Sequence, residues 1–181
     1  LRRRKQVDWT QWSQMVRKIS SPSKEINIAL VGKYLDIGNF QLTDSYLSVA
    51  AALQHAGAKN DVGVKIHWVN SKDIENWKID FKKFDGILVP GGFGNSGVEG
   101  KILAIEHARK TNPPFLGLCY GLQLAVVEFA RNVCDLNANS TEINPEIEHK
   151  VIDILPDQKN INTKGGTMRL GAYPAILMPN S

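Results

Sequence analysis

Short apolar runs alternate with amphipathic stretches over most of the chain. Four runs have strand character, and they lie at 26–31, 64–69, 84–89 and 115–118. Three stretches have apolar residues at helical spacing, and they lie at 45–55, 99–110 and 120–133. Strands that alternate with helices predict a mostly parallel sheet covered by helices, which is an α/β architecture. The carboxyl ends of such strands are the expected place for a functional site.

Local signals predict where the first of these helices begins and ends. Thr43 or Asp44 can cap its start, and Gly57 is expected just beyond its end, in the C′ position. The preceding stretch, 33–43, contains Gly38 and lacks periodicity, so it is predicted to be a loop.

The first 25 residues follow a different pattern. Apolar residues recur at helical spacing over 9–19, and a Ser-Ser-Pro-Ser run at 20–23 interrupts them. We expect a short helix followed by a linker. The chain begins with Leu1 rather than methionine, which favours a segment that connects to a domain upstream. Residues 1–25 are therefore predicted to be a linker, and residues 26–181 are predicted to form one domain.

Cys119 stands where the fourth strand meets the last helix, between Gly117 and Gly121. This is the cysteine counterpart of the Gly-x-Ser-x-Gly nucleophile elbow, in which the backbone turns sharply and exposes the central side chain. The start of a helix stabilises a thiolate, and the Tyr120 N–H can point at an oxyanion. A lone cysteine can also be a small buried hydrophobe, and the short motif alone leaves both interpretations open.

The last helix shows its amphipathic pattern most clearly. Its apolar positions recur three and four residues apart, as one helix face requires, and they are Leu122, Val126, Phe129, Ala130 and Val133.

A glycine-rich turn, Pro90-Gly91-Gly92-Phe93-Gly94, follows the third strand directly. Its spacing matches neither the dinucleotide-binding pattern nor the phosphate loop, so a nucleotide role is disfavoured. Because it ends the strand that precedes the one leading to Cys119, its backbone N–H groups could face the same oxyanion as Tyr120. A tight turn without chemistry is the alternative.

Composition places the chain among ordinary globular domains. Charged residues are 22% and apolar residues 43% of the 181 residues, which argues against a disordered chain or a membrane protein. The net charge of +4 is matched by the basic run at 2–5, which is more typical of a solvated tail than of a nucleic-acid-binding arm. Two cysteines fit a reducing compartment such as the cytoplasm, and no spacing of potential ligands suggests a metal site.

Six segments together resemble a known family, the class I glutamine amidotransferases. They are Val-Gly-Lys-Tyr (31–34), Leu-Val-Pro-Gly-Gly-Phe-Gly (88–94), Gly-Val-Glu-Gly-Lys-Ile (97–102), the cysteine elbow (115–126), Asn-Ser-Thr-Glu (139–142) and Gly-Gly-Thr-Met-Arg-Leu-Gly (165–171). The last two are the most particular, and they are similar to the amidotransferase domain of the CTP synthase family. The resemblance covers nearly the whole chain.

The resemblance implies a flavodoxin-like three-layer sandwich and assigns roles to individual residues. Cys119 would attack the side-chain amide of glutamine, giving a glutamyl thioester and ammonia. The backbone N–H groups of Gly91, Gly92 and Tyr120 would hold the oxyanion. A carboxylate in the pocket would suit the α-ammonium of the substrate. The positions expected to bind L-glutamine are Gly92, Tyr120, Gln123 and Glu142.

The resemblance also implies partners for a full enzyme. Ammonia would pass to a synthetase domain, in which ATP, with Mg, activates UTP and amination yields CTP. GTP would activate the glutaminase step as an allosteric effector, with Arg169 associated with that effect. No cofactor is expected in the domain described here. The full enzyme is expected to be a cytoplasmic homotetramer with no nucleic-acid or membrane partner.

The chain departs from the family pattern in three places. The family carries a His-Pro-Glu-like segment far downstream of the nucleophile, and this chain ends at Ser181 before it. We therefore expect a C-terminally incomplete domain with little or no turnover by itself, since a thiol needs an oriented base. Tyr120 and Leu122 replace a leucine and a methionine, which predicts an altered pocket shape. The loop at 35–42 is longer than usual and has no assigned role.

Two other interpretations remain open. The chain can fold and bind glutamine without turnover, as a binding or assembly module. A peptidase-like or stress-response protein can also carry a cysteine elbow on such a sheet, but the segments at 139–142 and 165–171 argue against it. His149, the only histidine after Cys119, is expected in a solvated loop before a strand at 151–155.

Overall fold

The computed structural model describes residues 7–33, 36–37, 40–41, 43–76 and 79–154. Its helices are α1 (Thr10–Ser20), α2 (Leu47–Lys59), α3 (Ser71–Glu75), α4 (Val98–Thr111) and α5 (Tyr120–Asn132). Its strands are β1 (Glu25–Gly32), β2 (Asp36–Ile37), β3 (Phe40–Gln41), β4 (Gly63–Asn70), β5 (Gly86–Val89), β6 (Phe115–Gly117), β7 (Ala138–Ser140) and β8 (His149–Ile152). The four predicted strands are all present, with ends within two residues of their predicted positions.

The central sheet is parallel and has the strand order β4-β1-β5-β6. In its registers Leu30 of β1 lies between Trp68 of β4 and Leu88 of β5, and Val89 of β5 pairs with Gly117 of β6. This confirms the predicted parallel sheet. Because all four strands point the same way, their carboxyl ends lie at one edge, where the glycine-rich turn and Cys119 are neighbours.

Side chains alternate across the sheet and form two apolar layers, as the period of two requires. Ala29, Val31, Ile87 and Val89 face a large core together with residues of α4 and α5. Leu30 and Leu88 face the other side, where Tyr46 and partly buried residues of α2 cover them. The sheet is therefore covered on both faces, as the alternating elements predict, and this is the three-layer arrangement that the resemblance implies.

Helix α5 packs with a different face from the one that its apolar pattern predicts. Four of the five patterned residues are exposed, at 59% for Leu122, 41% for Val126, 51% for Phe129 and 47% for Val133. The buried face consists of Tyr120, Gly121, Leu124, Val127, Glu128 and Ala130. The physical reason lies at the start of the helix, where Gly121 lies against the β5 backbone: a Cβ on Gly121 would lie 2.0 Å from the Val89 carbonyl oxygen. This contact sets the rotation of the helix.

Helix α2 begins and ends later than predicted. It starts at Leu47 after a 3₁₀ turn, with Tyr46 as its N-cap, so the predicted cap at Thr43 or Asp44 is wrong. Gly57 lies inside the helix rather than after it, and a Cβ there would lie 2.5 Å from the Val62 carbonyl oxygen. The glycine thus permits close packing of the following turn and does not end the helix.

The stretch predicted to be a loop contains a small ladder. Strands β2 and β3 pair antiparallel, with Asp36 opposite Gln41 and Ile37 opposite Phe40. The segment around these strands at 34–35, 38–39 and 42 lies outside the described residues.

The outer elements complete the described part of the chain. The predicted N-terminal helix is present as α1, which lies against α2 and has no buried residue. Strands β7 and β8 form a separate two-stranded parallel sheet against α5, with Ile143, Val151 and Ile152 packed on the main core. Among the described helices none is long and apolar enough to cross a membrane.

An ion pair with one buried partner joins α4 to α5. The Arg109 guanidinium donates three hydrogen bonds of 2.8–3.1 Å to the carboxylate of Glu128, which is 1% exposed, and the Asn132 amide donates a fourth at 3.0 Å. Burial alone would raise the pKa of Glu128, but these hydrogen bonds and the Arg109 charge outweigh it, so the pKa lies below its ordinary value of 4.5. A satisfied carboxylate therefore lies on the buried face of α5, although the apolar pattern of the helix would leave this position exposed to solvent.

The contact of Gly121 with the sheet predicts a steric effect. Gly121→Ala is expected to lower the free energy of unfolding by about 1–3 kcal/mol, because the new methyl group would overlap the Val89 carbonyl and push α5 from the sheet. Gly91→Ala is the matched control, since its nearest neighbour would lie at an ordinary 3.6 Å. Urea unfolding followed by circular dichroism measures both. Equal unfolding midpoints for the two variants would contradict this packing.

The Arg109–Glu128 pair predicts a pH-dependent contribution to stability. Glu128→Gln is expected to cost about 1–2 kcal/mol at pH 7, because it removes the charge from a buried, hydrogen-bonded carboxylate. Since the folded pKa of Glu128 is lowered, its stabilisation is present above the unfolded value of 4.5 and is lost as the pH falls through the folded value. The difference between the two proteins should therefore shrink in urea unfolding at pH values below 4.5.

The matched control for this prediction is Glu99→Gln. Glu99 joins the same two helices through Arg131 at 3.0 Å, but its side chain is 61% exposed. An exposed pair of this kind contributes about 0–1 kcal/mol. A loss for Glu99→Gln as large as that for Glu128→Gln would show that burial of the carboxylate is unimportant.

Candidate active site

Cys119 lies on the turn between β6 and α5, as the sequence pattern predicts. Its backbone has φ 51° and ψ −108°, a conformation that L residues rarely adopt and that costs about 1–3 kcal/mol. Three backbone hydrogen bonds hold the turn: Leu118 N–H to the Val89 oxygen at 2.9 Å, Gly121 N–H to the Leu118 oxygen at 2.9 Å and Gln123 N–H to the Cys119 oxygen at 3.1 Å. The residue is exposed, so its thiol stands at the start of α5 within reach of a ligand.

The glycine-rich turn after β5 borders this cysteine. A Cβ on Gly91 would lie 3.6 Å from the Cys119 Cβ and 4.0 Å from its Sγ. The two segments meet because β5 and β6 pair side by side. A thiol beside a glycine turn and a helix start is an arrangement suited to attack on a carbonyl, because backbone N–H groups are available for the resulting negative charge.

Glu142 is brought to the same turn from a distant part of the chain. Its Oε1 accepts a hydrogen bond of 2.8 Å from the Gly94 N–H, although the two residues are 48 positions apart. The Asn95 amide makes a second, longer bond of 3.4 Å to the Ile143 carbonyl. The turn after β7 is thus docked on the glycine-rich turn, and it places a carboxylate at the edge of the candidate site.

Tyr120 does more than supply a backbone N–H. Its ring is buried, at 1% exposure, and its phenol donates a hydrogen bond of 2.9 Å to the Gly94 carbonyl. The side chain therefore holds the far end of the glycine-rich turn from below. Gln123 lies one turn further along α5 and is half-buried. The structure thus brings together Cys119 and the residues predicted around it in the first turn of α5 and after β5.

Sequence reasoning missed Lys101 of α4. This lysine is fully buried, and its Nζ lies 5.5 Å from the centre of the Tyr120 ring. Burial, and to a smaller extent the Lys33 charge, lower the pKa of Lys101 from 10.5 to about 8, and Cys119 opposes the shift. The available signal was its spacing: Lys101 lies three residues after Val98 and four before Ile105, on the face of α4 that packs in the core.

Other predicted residues lie elsewhere or outside the described part. Arg169 and the whole segment 165–171 lie outside the described residues. His149 lies in strand β8 and not in a loop, with its Nε2 3.6 Å from the Glu148 carboxylate. Of the other histidines, His67 lies 2.8 Å from the Asn27 side chain and His107 stacks on Phe81.

A reactive cysteine is usually activated by a neighbouring base such as histidine. Within the described residues, no hydrogen bond joins a histidine to Cys119. Over the same ranges, no group of three potential ligands is placed to hold a metal ion.

Comparison with known proteins identifies the family of this chain. The family described as glutamine amidotransferase class-I matches residues 41–180 of the chain. The chain is 53% identical over 182 residues to a CTP synthase of Methanococcus maripaludis, and this alignment covers 96% of this chain and 33% of that protein. It is 54% identical over 179 residues to a CTP synthase of Clostridium kluyveri, covering 97% of this chain and 32% of the other. The chain thus spans about a third of the length of these relatives.

A solved structure supports the same assignment at the level of fold. The glutaminase domain of Trypanosoma brucei CTPS with bound acivicin superimposes with a TM-score of 0.66 at 40% identity. The match covers 75% of this chain and 52% of the other. Together with the family match over most of the chain, it confirms the fold class predicted from the alternating elements. The chain belongs to the class I glutamine amidotransferase family and is similar, within it, to the glutaminase domain of CTP synthases.

Proposed function

We propose that this chain is the glutaminase domain of a CTP synthase and that Cys119 is its nucleophile. The observation that carries the proposal is the strained, exposed Cys119 at the start of α5, with Gly91 beside its thiol. The likeness to the acivicin-bound glutaminase domain adds to it, since acivicin is a glutamine analogue.

The proposed reaction has two stages. The Cys119 thiolate attacks the side-chain amide carbon of L-glutamine, and a C–S bond forms while the carbonyl oxygen takes up the negative charge. The C–N bond then breaks, the nitrogen takes up the proton that the Cys119 thiol released on ionisation, and ammonia leaves a glutamyl thioester. Water attacks the thioester, which releases glutamate and restores the thiol. The backbone N–H groups of Gly91, Gly92 and Tyr120 are proposed to hold the oxyanion in both stages.

The substrate would be held by residues on two sides of the thiol. Gln123 lies one turn beyond Cys119 on α5, and the Glu142 carboxylate is docked on the glycine-rich turn. A carboxylate there can form a charge-assisted hydrogen bond with the α-ammonium of glutamine. Gly92 and Tyr120 complete the proposed pocket.

The role of the domain in a full enzyme follows from its relatives. The ammonia would be used for ATP-dependent amination of UTP to CTP, with Mg and ATP bound by a synthetase domain and GTP acting as activator. Arg169 remains the predicted residue for the GTP effect, and a cytoplasmic homotetramer remains the predicted assembly. Since no described histidine is bonded to Cys119, we propose that the chain by itself binds glutamine and turns over little of it.

Covalent labelling tests the nucleophile. A diazo-ketone analogue of glutamine is expected to add once to the chain, at Cys119, because only this thiol stands beside the proposed pocket. Intact mass spectrometry with peptide mapping measures the adduct. Cys119→Ala should remain unlabelled, whereas Cys134→Ala, which removes the exposed cysteine beyond α5, should label like the native chain and be protected by glutamine. An adduct that survived in Cys119→Ala would disprove the assignment.

Glutamine protection tests the role of Glu142. Glu142→Gln keeps an oxygen for the Gly94 N–H but loses the charge for the α-ammonium. The glutamine concentration that halves the labelling rate is expected to rise by about 10-fold or more, the value of one charge-assisted hydrogen bond. The control is Glu146→Gln, an exposed carboxylate in the same segment, which should leave that concentration unchanged. A similar rise for both variants would mean that Glu142 does not contact the substrate.

A further inference from the structure

Lys101 is a buried charge without an obvious partner. Its side chain is fully buried in α4, and within the described ranges its Nζ has no hydrogen-bond acceptor. A buried ammonium is normally paired with a carboxylate, because transfer from water costs several kcal/mol. Packing alone therefore does not explain why an ammonium group is buried at this position without a carboxylate partner among the described residues.

The surroundings of Lys101 belong to the candidate active site. Its Nζ would lie 3.4 Å from a Cβ on Gly92, and the Cε of Lys33 would lie 3.7 Å from the same point. Its other contact is the face of the Tyr120 ring, which offsets part of the desolvation through a cation–π interaction. The buried Lys101 and the half-buried Lys33 thus both approach the glycine-rich turn.

Carboxylates on the neighbouring elements accept hydrogen bonds from other donors. Glu75 accepts from the Gly100 N–H at 3.1 Å, Glu99 from Arg131 at 3.0 Å and Glu142 from the Gly94 N–H at 2.8 Å. None of these three bonds involves the Lys101 Nζ. The positive charge of Lys101 is therefore left to act on the turn and on what the turn faces.

Two adjacent glycines lie between the Lys101 ammonium and the Cys119 thiol. Gly91 borders Cys119, while Gly92, the next residue, borders Lys101. We infer that Lys101 is a positioning residue of the site: its buried ammonium supplies a positive potential behind the glycine turn that favours negative charge at the Cys119 sulfur and at the adjoining oxyanion. The inference deepens the proposed function and rests on Cys119 being the nucleophile.

The interaction between the two groups supports this assignment. Burial and the Lys33 charge lower the pKa of Lys101, whereas Cys119 acts to raise it, and the resulting value of about 8 leaves the ammonium mostly charged at pH 7. A charge in a site of low dielectric acts more strongly than one in water.

Two alkylating agents of similar size, one charged and one neutral, test the inference. Iodoacetate is an anion and iodoacetamide is neutral, so the ratio of their second-order rate constants at Cys119 reports the local potential. Rates are measured at pH 7 by intact mass in chains that carry Cys134→Ala. Lys101→Met keeps the apolar stem and removes the charge, and it is expected to lower the iodoacetate-to-iodoacetamide ratio about fivefold. Lys101→Arg keeps the charge and should stay within about twofold of the native ratio.

The controls separate charge from packing. Lys110→Met removes an exposed charge from the same helix and should leave the ratio unchanged. A packing defect would alter both rate constants together and leave their ratio constant, and this result for Lys101→Met would overturn the inference. If Lys101→Met does not fold, the native chain still decides: the ratio at Cys119 must exceed that at the exposed Cys134 severalfold, and equal ratios overturn the inference.

The outcome is distinguishable from failure of the proposed function. If the diazo-ketone labels Cys119 but the iodoacetate-to-iodoacetamide ratio is the same in Lys101→Met as in the native chain, only the role of the lysine is overturned. A ratio that falls in Lys101→Met, in a chain that the diazo-ketone never labels, would retain the electrostatic role and overturn the glutaminase assignment.

Discussion

The close approach of Gly121 to the Val89 carbonyl is the contact on which the geometry of the site depends. A Cβ at this position would lie 2.0 Å from that oxygen, so only glycine allows the helix to start so close to the sheet. The same carbonyl accepts the Leu118 N–H, which ties the end of β6 to β5 directly before the turn. Between these two anchors Cys119 has to adopt its positive φ. The strain at Cys119 is therefore maintained by packing on both sides.

This anchor also explains which side of α5 is buried. The helix presents Leu124, Val127 and Glu128 to the interior, and its apolar stripe faces outwards. Glu128 can be buried only because Arg109 and Asn132 satisfy its carboxylate. A rotation of α5 that separated Gly121 from β5 would also move the Glu128 carboxylate away from Arg109. The site geometry and the ion pair thus favour the same orientation.

The charges of the domain are arranged in two contrasting ways. Far from the thiol, the Glu128 carboxylate is buried and neutralised by the guanidinium of Arg109, and this pair stabilises the packing of two helices. Near the thiol, the Lys101 ammonium is buried beneath the glycine-rich turn, and no carboxylate among the described residues accepts a hydrogen bond from it. A group left unpaired in this way is available to stabilise charge that develops on a ligand, whereas a paired one is not. The docked turn that carries Glu142 adds a carboxylate at the rim.

The strands of the central sheet and the turn at Cys119 could be predicted from the sequence, because residues that are neighbours in the chain are enough to specify them. The β-branched runs predicted the strands of the central sheet, and the glycines around Cys119 predicted the elbow, since both depend on backbone preferences within a few residues. The motifs at 88–94 and 115–126 similarly indicated the family to which the comparisons assign the chain.

Only the tertiary structure decided the rotation of α5, the interior place of Gly57, the burial of Lys101 and the docking of Glu142 onto Gly94. Each of these depends on an atom that is distant in sequence or on another element: the Val89 carbonyl, the Val62 carbonyl, the Gly92 turn and the Gly94 N–H. Hydrophobic periodicity describes which side of a helix is apolar, but the contacts available to its first turn decide which side faces the core. The same backbone contacts, and not the pattern of side chains, place the thiol beside its glycine turn.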